Sequence, residues 1–263
     1  MSDVRICALV PTYDNPETIG AVVDRIRAWL PRVIVVDDGS GDAGRAACEA
    51  LAREGRAQVV RHPLNRGKGA AVRTGLEAAR AAGFSHAFQI DADGQHDLEA
   101  IPGFIATARA RPEAAVLAHP VYEQTAPRSR TVGRELTRFW VDLEVGRGRV
   151  RDAMIGFRIY PIDATLALGT RCERMDFDVE VAVLLAWAGV PIENRPVGVR
   201  YLTAEEGGLS HFRLVRDNAA LFRLHSRFCT QASMDWLFSW LRPRARARGA
   251  AGSTTATGAE GAR

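Results

Sequence analysis

Residues 86–97 read HAFQIDADGQHD. The first five, His86–Ile90, are apolar or β-prone and read as a strand, and Asp91-Ala92-Asp93 follow it directly. Two acids one residue apart at a strand tip hold both carboxylates where a hard divalent cation collects them. Mg2+ and Mn2+ prefer oxygen ligands and leave positions for water and phosphate oxygens. Gln95 adds a neutral amide oxygen two residues on. The same residues also suit a plain acidic turn capping a helix that starts near Leu98. The other strand ends decide between the two.

Working outward, Val4–Val10, Val33–Val36, Gln58–Arg61 and Ala114–Ala118 read as strands, and Glu17–Leu30, Asp42–Glu54, Lys68–Ala82 and Leu98–Ala110 as helices. Strand and helix alternate, which predicts an α/β fold: a mostly parallel sheet with helices on both faces. Such sheets bind ligands outside the carboxyl ends of their strands. Those ends carry Pro11-Thr12-Tyr13-Asp14, Asp37-Asp38-Gly39-Ser40 and Asp91-Ala92-Asp93. Asp38 can accept from a base N–H or a ribose hydroxyl. An ordinary turn with Asp42 as helix cap explains Gly39 and Asp42, but not two adjacent acids behind a buried strand. Asn65-Arg66-Gly67-Lys68-Gly69 opens a helix, so its amides and cations are placed to face phosphate oxygens. It lacks the GxxxxGK[ST] loop of nucleotide triphosphatases, and a solvated glycine-rich turn is its plain alternative.

Beyond residue 120 the sequence predicts a polar loop (Pro120–Pro127), a helix (Ser129–Val145), a strand (Phe157–Tyr160) and a helix (Phe177–Ala188). One or two strands follow in Val190–Tyr201, interrupted by Pro196, then a flexible loop (Thr203–Ser210) and C-terminal helices (His211–Arg227 and Met234–Leu241). Arg128, Arg130 and Arg134, with Arg158, form a basic set suited to an anionic acceptor through paired hydrogen bonds.

Of the 263 residues 47% are hydrophobic and 25% charged, which excludes a wholly disordered or fibrous chain. The four cysteines, 7, 48, 172 and 229, are scattered without a CxxC pair, so neither a disulfide framework nor a zinc knuckle is expected and a reducing compartment is. The six histidines form no metal-spaced pair. The formal charge of +4 resides entirely in residues 242–263, and the other 241 residues are neutral. Nucleic acid is therefore not an expected partner. No run of 18 apolar residues is present, so a soluble or peripheral cytoplasmic protein is expected. The stretch MDWLFSWLRPRARAR, residues 234–248, joins aromatic and basic residues and suits the inner face of the cytoplasmic membrane, or else a helix docked on the domain.

Four segments in order, ALVPTYDNPETIG (8–20), VVDDGS (35–40), NRGKGAAVRTGL (65–76) and DADGQHD (91–97), resemble family 2 glycosyltransferases of the GT-A fold. The branch most similar is that of dolichyl- or polyprenyl-phosphate sugar transferases. GFRIYP, MDFDVEV, GVPIENRPVGVRY and GLSHFRLVRDN resemble bacterial relatives linked to lipid-modifying acyltransferases, and the likeness extends over roughly residues 4–227. It implies a GT-A domain over 1–230, with a nucleotide-sugar half (1–120) and an acceptor half (121–230), then an amphipathic helix (231–242) and a disordered basic tail (243–263).

The implied activity is metal-dependent, inverting sugar transfer from a nucleotide-diphosphate sugar to a lipid-linked acceptor at a membrane surface. By the same resemblance, Pro11, Tyr13 and Asp38 line the nucleotide and Asp91, Asp93 and Gln95 face Mg2+ or Mn2+, while Asp14, Lys68 and Asp91 complete the expected donor-binding set. Asp93 joins Asp178 and Glu180 as the expected catalytic set, while Arg128, Arg134 and Arg158 of the basic set are the expected acceptor contacts. Asp176, Asp178 and Glu180 fall where the family has a late acidic motif. One of them is a candidate general base, although acids at a helix N-terminus also serve the helix itself. Ile155 stands where relatives often carry a small polar residue. Two other readings compete: a catalytically degenerate, membrane-associated scaffold of this fold, and a DxDG-type phosphatase with Asp91 as nucleophile.

Overall fold

The computed structural model describes residues 4–122, 128–200 and 214–241. Seven strands form one sheet: β1 (Ile6–Thr12), β2 (Val33–Asp37), β3 (Gln58–Arg61), β4 (His86–Ile90), β5 (Ala115–Tyr122), β6 (Phe157–Pro161) and β7 (Ile192–Val199). Their order is β3-β2-β1-β4-β6-β5-β7. β1, β2, β3 and β4 run parallel, β6 runs antiparallel between β4 and β5, and β7 pairs parallel with β5.

The helices are α1 (Ile19–Arg27), α2 (Asp42–Arg53), α3 (Lys68–Ala81), α4 (Ile101–Ala110), α5 (Arg128–Val145), α6 (Ile162–Leu166), α7 (Phe177–Trp187) and α8 (Leu214–Leu241). They cover both faces because successive strand residues point to opposite sides. Cys7 and Leu9 of β1 enter one core with Leu76 of α3, Val141 of α5, Phe177 and Val181 of α7, and Phe228 of α8. Ala8 and Val10 enter the other with Ile19 and Val23 of α1, Leu51 of α2, and Phe104 of α4. In α1 the buried residues Ile19, Val22, Val23 and Ile26 recur at helical spacing, which is why an otherwise polar segment is a helix here.

Several expectations are revised. Pro120–Tyr122, assigned to a polar loop, extend β5, where their backbone pairs with Val197–Val199 of β7. Pro196 does not split Val190–Tyr201 into two strands. β7 lies at the sheet edge, so the missing N–H interrupts no second ladder. The two C-terminal helices are one, and α8 runs unbroken through the boundary expected at residue 230. The short helix α6 had no counterpart in the reading, because five residues carry too little periodicity. Thr203–Ser210 and the tail 243–263 lie outside the described residues.

The parallel strands β1, β2 and β4 deliver their carboxyl ends to one edge. In the sheet order, the chain leaves β1 toward β2 and β3, then returns to place β4 on the other side of β1. The reversal between β1 and β4 is where an open α/β sheet forms a crevice.

Candidate active site

Asp91 follows the last residue of β4 and is held from two sides. Its backbone N–H donates to the carbonyl of Gly156 at 3.1 Å, continuing the β4–β6 ladder. Its carboxylate lies flat on Gly156, where a Cβ would fall 2.2 Å from Oδ1 and 2.3 Å from Oδ2. Gly156 is therefore a site residue, and sequence reading, which saw it only as part of GFR, gave it no role.

Lys68 Nζ donates to Asp91 Oδ2 at 2.8 Å and to Asp178 Oδ2 at 2.7 Å. Asp178 Oδ1 accepts from Gln89 Nε2 at 3.2 Å, and Gln89 Oε1 accepts from the Tyr160 hydroxyl at 3.1 Å. Asp178 and Gln89 are buried, and Asp91 retains 22% exposure of its side chain. Asp91 Oδ1, by contrast, is buried without a hydrogen-bond partner. Burial pushes the Asp91 carboxyl above its usual range, against the pull of Lys68. Asp178 is also buried, but Lys68 and Arg158 outweigh that cost and hold it below the usual range. For Lys68, burial works against the charge, and Asp178 and Asp91 overcome it and raise its pKa.

Asp93 is half-buried and caps its own turn, Oδ1 accepting from the Gln95 N–H at 3.0 Å. Asp91, Asp93 and Gln95 thus lie in one turn. Their oxygens suit a hard divalent cation, and the unpartnered Asp91 Oδ1 is an acceptor that such an ion would satisfy. Among the described residues no three His, Cys, Asp or Glu side chains converge as a metal cluster, so most ligands would come from water and phosphate oxygens.

The other strand ends are stitched to this turn. The Asp14 N–H donates to Ser40 Oγ at 2.9 Å, while Asp14 Oδ1 accepts from the Gly41 N–H at 2.8 Å. Thr18 Oγ1 donates to the Ala92 carbonyl at 2.7 Å. Pro11 is buried in β1, in register with Val36, and Tyr13 is half-buried just past the strand. Asp37 takes the Ser40 N–H at 2.9 Å and pairs with Arg61. Asp38 accepts from the Arg66 N–H (2.9 Å) and the Gly67 N–H (2.7 Å), and its Oδ1 lies 2.7 Å from His62 Nδ1. Three of roughly four acceptor positions on this carboxylate are occupied by the protein. Asp38 therefore anchors the loop that presents Lys68, a role sequence reading missed along with the part of His62.

Glu180 and Arg158 are placed differently from expectation. Glu180 is buried, Oε2 accepting from the Arg171 and Cys172 N–H groups at 2.9 and 2.7 Å, and Oε1 pairing with Arg227. It folds the 171–174 segment against the start of α3, where the Ala70 N–H meets the Glu173 carbonyl at 3.2 Å. Arg158 is wholly buried and donates to the carbonyls of Ile155 and Asp178 at 2.5 and 2.6 Å, which removes it from the surface an acceptor would touch. Arg134 pairs with Asp152 at 2.6 Å. Asp152 in turn accepts from the N–H groups of Met154 and Ile155 at 2.7 and 2.9 Å, shaping the turn that leads to Gly156. The backbone of Arg128 begins α5, and its side chain lies outside the described residues. Asp176 precedes α7 without a side-chain capping bond.

Comparison with known proteins agrees with this architecture. The model of the family described as "Glycosyl transferase family 2" matches residues 7–165. Polyprenol monophosphomannose synthase of Mycolicibacterium smegmatis is 29% identical over 163 residues, covering 59% of this chain and 61% of that protein. Human dolichyl-phosphate beta-glucosyltransferase is 27% identical over 219 residues, covering 72% of this chain and 65% of that protein. The chain thus spans somewhat less than two thirds of the length of these two relatives. Glucosyl-3-phosphoglycerate synthase from Mycobacterium tuberculosis, crystallised with Mn2+ and UDP-glucose, superposes with a TM-score of 0.62 at 19% identity, covering 84% of this chain and 76% of that one. The fold is GT-A, and the chain belongs to glycosyl transferase family 2.

Proposed function

We propose that the protein is a metal-dependent, inverting glycosyltransferase that moves a sugar from a nucleotide-diphosphate sugar to a lipid-linked acceptor, in envelope or lipid glycoconjugate synthesis. The observation that carries the reading is the Asp91 carboxylate at the β1/β4 crevice, one oxygen fixed by Lys68 and the other buried and unpartnered. Asp91, Asp93 and Gln95 would hold Mg2+ or Mn2+. When bound, the ion supplies positive charge that neutralises the leaving nucleoside diphosphate.

The chain's own residues do the rest. Pro11, Tyr13 and Asp14 border the nucleotide, with Asp38 fixing the loop beneath it. Lys68 spends two of its three N–H donors on carboxylates and keeps one for a diphosphate oxygen. The acceptor oxygen attacks the anomeric carbon in line as the bond to the diphosphate breaks, through an oxocarbenium-like state. Asp178 and Glu180, two of the candidate bases, are held in ion pairs and, for Glu180, in hydrogen bonds from backbone N–H groups. That favours an acceptor needing no strong base, and a lipid phosphate is already anionic. The polyprenol monophosphomannose and dolichyl-phosphate in the names of the relatives point the same way. Arg134, oriented by Asp152, and Arg128 are the acceptor-binding candidates that stand. No helix among the described residues is long and apolar enough to cross a membrane. Contact with the inner face of the cytoplasmic membrane is assigned to the C-terminal end of α8 and the basic tail.

The test is calorimetric titration of the purified chain with UDP, GDP and their common sugars, in Mn2+ or in EDTA. One nucleotide should bind in the micromolar range, and both EDTA and Asp93→Ala should weaken it about tenfold or more. Folded protein that binds none of them overturns the transferase reading and leaves the scaffold.

A further inference from the structure

Asp178 is buried to 2% exposure of its side chain, on α7, and reaches Asp91 only through the ammonium of Lys68. A single ammonium beside a single carboxylate in a site shielded from water forms a neutral pair with little net attraction for a metal ion. A second carboxylate on the same ammonium changes this. The ammonium's charge is then divided between two carboxylates, so less of it falls on Asp91.

Arg158, a second buried cation, acts on Asp178 through its charge but donates its hydrogen bonds to the backbone carbonyls of Asp178 and Ile155, so Lys68 is the cation that hydrogen-bonds both carboxylates. Residue choice supports a demanding geometry. The chain uses arginine at 34 of its 35 basic positions, and Lys68 is its single lysine. A compact three-donor ammonium fits between two carboxylates, whereas a planar guanidinium fork presents its donors in one plane.

We propose that Asp178 is a positioning residue acting through Lys68: by sharing the ammonium it keeps Lys68 from neutralising Asp91, and so leaves Asp91 Oδ1 open to a divalent cation. This rests on Asp91 being a metal-facing carboxylate.

The test is titration of the full chain with Mn2+ alone, without nucleotide, free ion being read by electron paramagnetic resonance. Asp178→Asn should weaken Mn2+ binding about fivefold or more, and Lys68→Met should tighten it about threefold. In the Lys68→Met background, Asp178→Asn should cost at least about threefold less than it does alone. Lys68→Met should at the same time weaken UDP, a split that loss of structure would not produce. Equal losses from Asp178→Asn in both backgrounds overturn the proposal. Should Asp178→Asn fail to fold, Lys68→Met decides, since a merely structural lysine predicts weaker Mn2+ binding. Absence of Mn2+ binding to the wild type overturns this inference and the metal-dependent reading together. Binding that Asp178→Asn leaves unchanged overturns this inference alone.

Discussion

Asp91 and Gly156 form one unit at the scale of single residues. The carboxylate occupies the space where any other residue at 156 would place its Cβ, 2.2 Å from Oδ1. Gly156→Ala must therefore displace the carboxylate or the β6 strand end. A displacement near 1 Å at a reacting centre costs about 100-fold in rate. We expect kcat/KM of Gly156→Ala to fall by about that factor while Tm changes little, since the residue sits at a strand end. Steady-state kinetics beside a thermal melt check both halves. Asp38 teaches a related lesson: an acid at a strand tip looked like a nucleotide ligand, and most of its acceptor capacity goes to the Arg66 and Gly67 amides and His62.

Among the elements, α3 matters most, because its first residue is Lys68 and its packing fixes where that ammonium lies. The helix crosses β1 closely at Gly75, where a Cβ would fall 1.9 Å from Leu9 Cδ1. Gly75→Ala overpacks that contact and should destabilise by about 1–3 kcal/mol, although alanine is the better helix former. Urea unfolding gives the value, and pairing it with Leu9→Ala should recover part of the loss. The 171–174 segment supports the same helix from below, held by Glu180. Glu180, a candidate base by sequence, thus joins α7 to the 171–174 segment and to α8.

For the whole molecule, pH dependence follows from histidines the site does not use. His86 is buried at the start of β4, with Nε2 2.9 Å from the Pro112 carbonyl, and burial lowers its pKa. His119 on β5 is lowered too, by burial first and then by Arg151. The native state binds fewer protons than the unfolded chain near and below the ordinary histidine value of 6.5. Their contribution is therefore complete above pH about 6.5 and is lost as the pH falls through the native values. Tm should drop between pH 7.5 and 5.5, and His86→Gln should flatten the drop. A profile level across that range, or one that rises on acidification, contradicts the assignment.

The sequence by itself determined the alternation of strands and helices, the parallel character of the sheet and the turn of Asp91, Asp93 and Gln95. These are local: periodicity selects the element, and a strand tip followed by acids marks where a ligand would meet it. What only the tertiary structure decided is which charges meet. Lys68, Asp91 and Asp178 come from α3, the end of β4 and α7, and Gly156 immediately precedes a strand that enters the sheet antiparallel beside β4. Nothing local distinguishes Asp178, paired with Lys68, from Glu180, two residues away and committed to backbone amides. The distinction arises when successive residues of one helix face different neighbours, because a buried charge takes its role from the partner that compensates it.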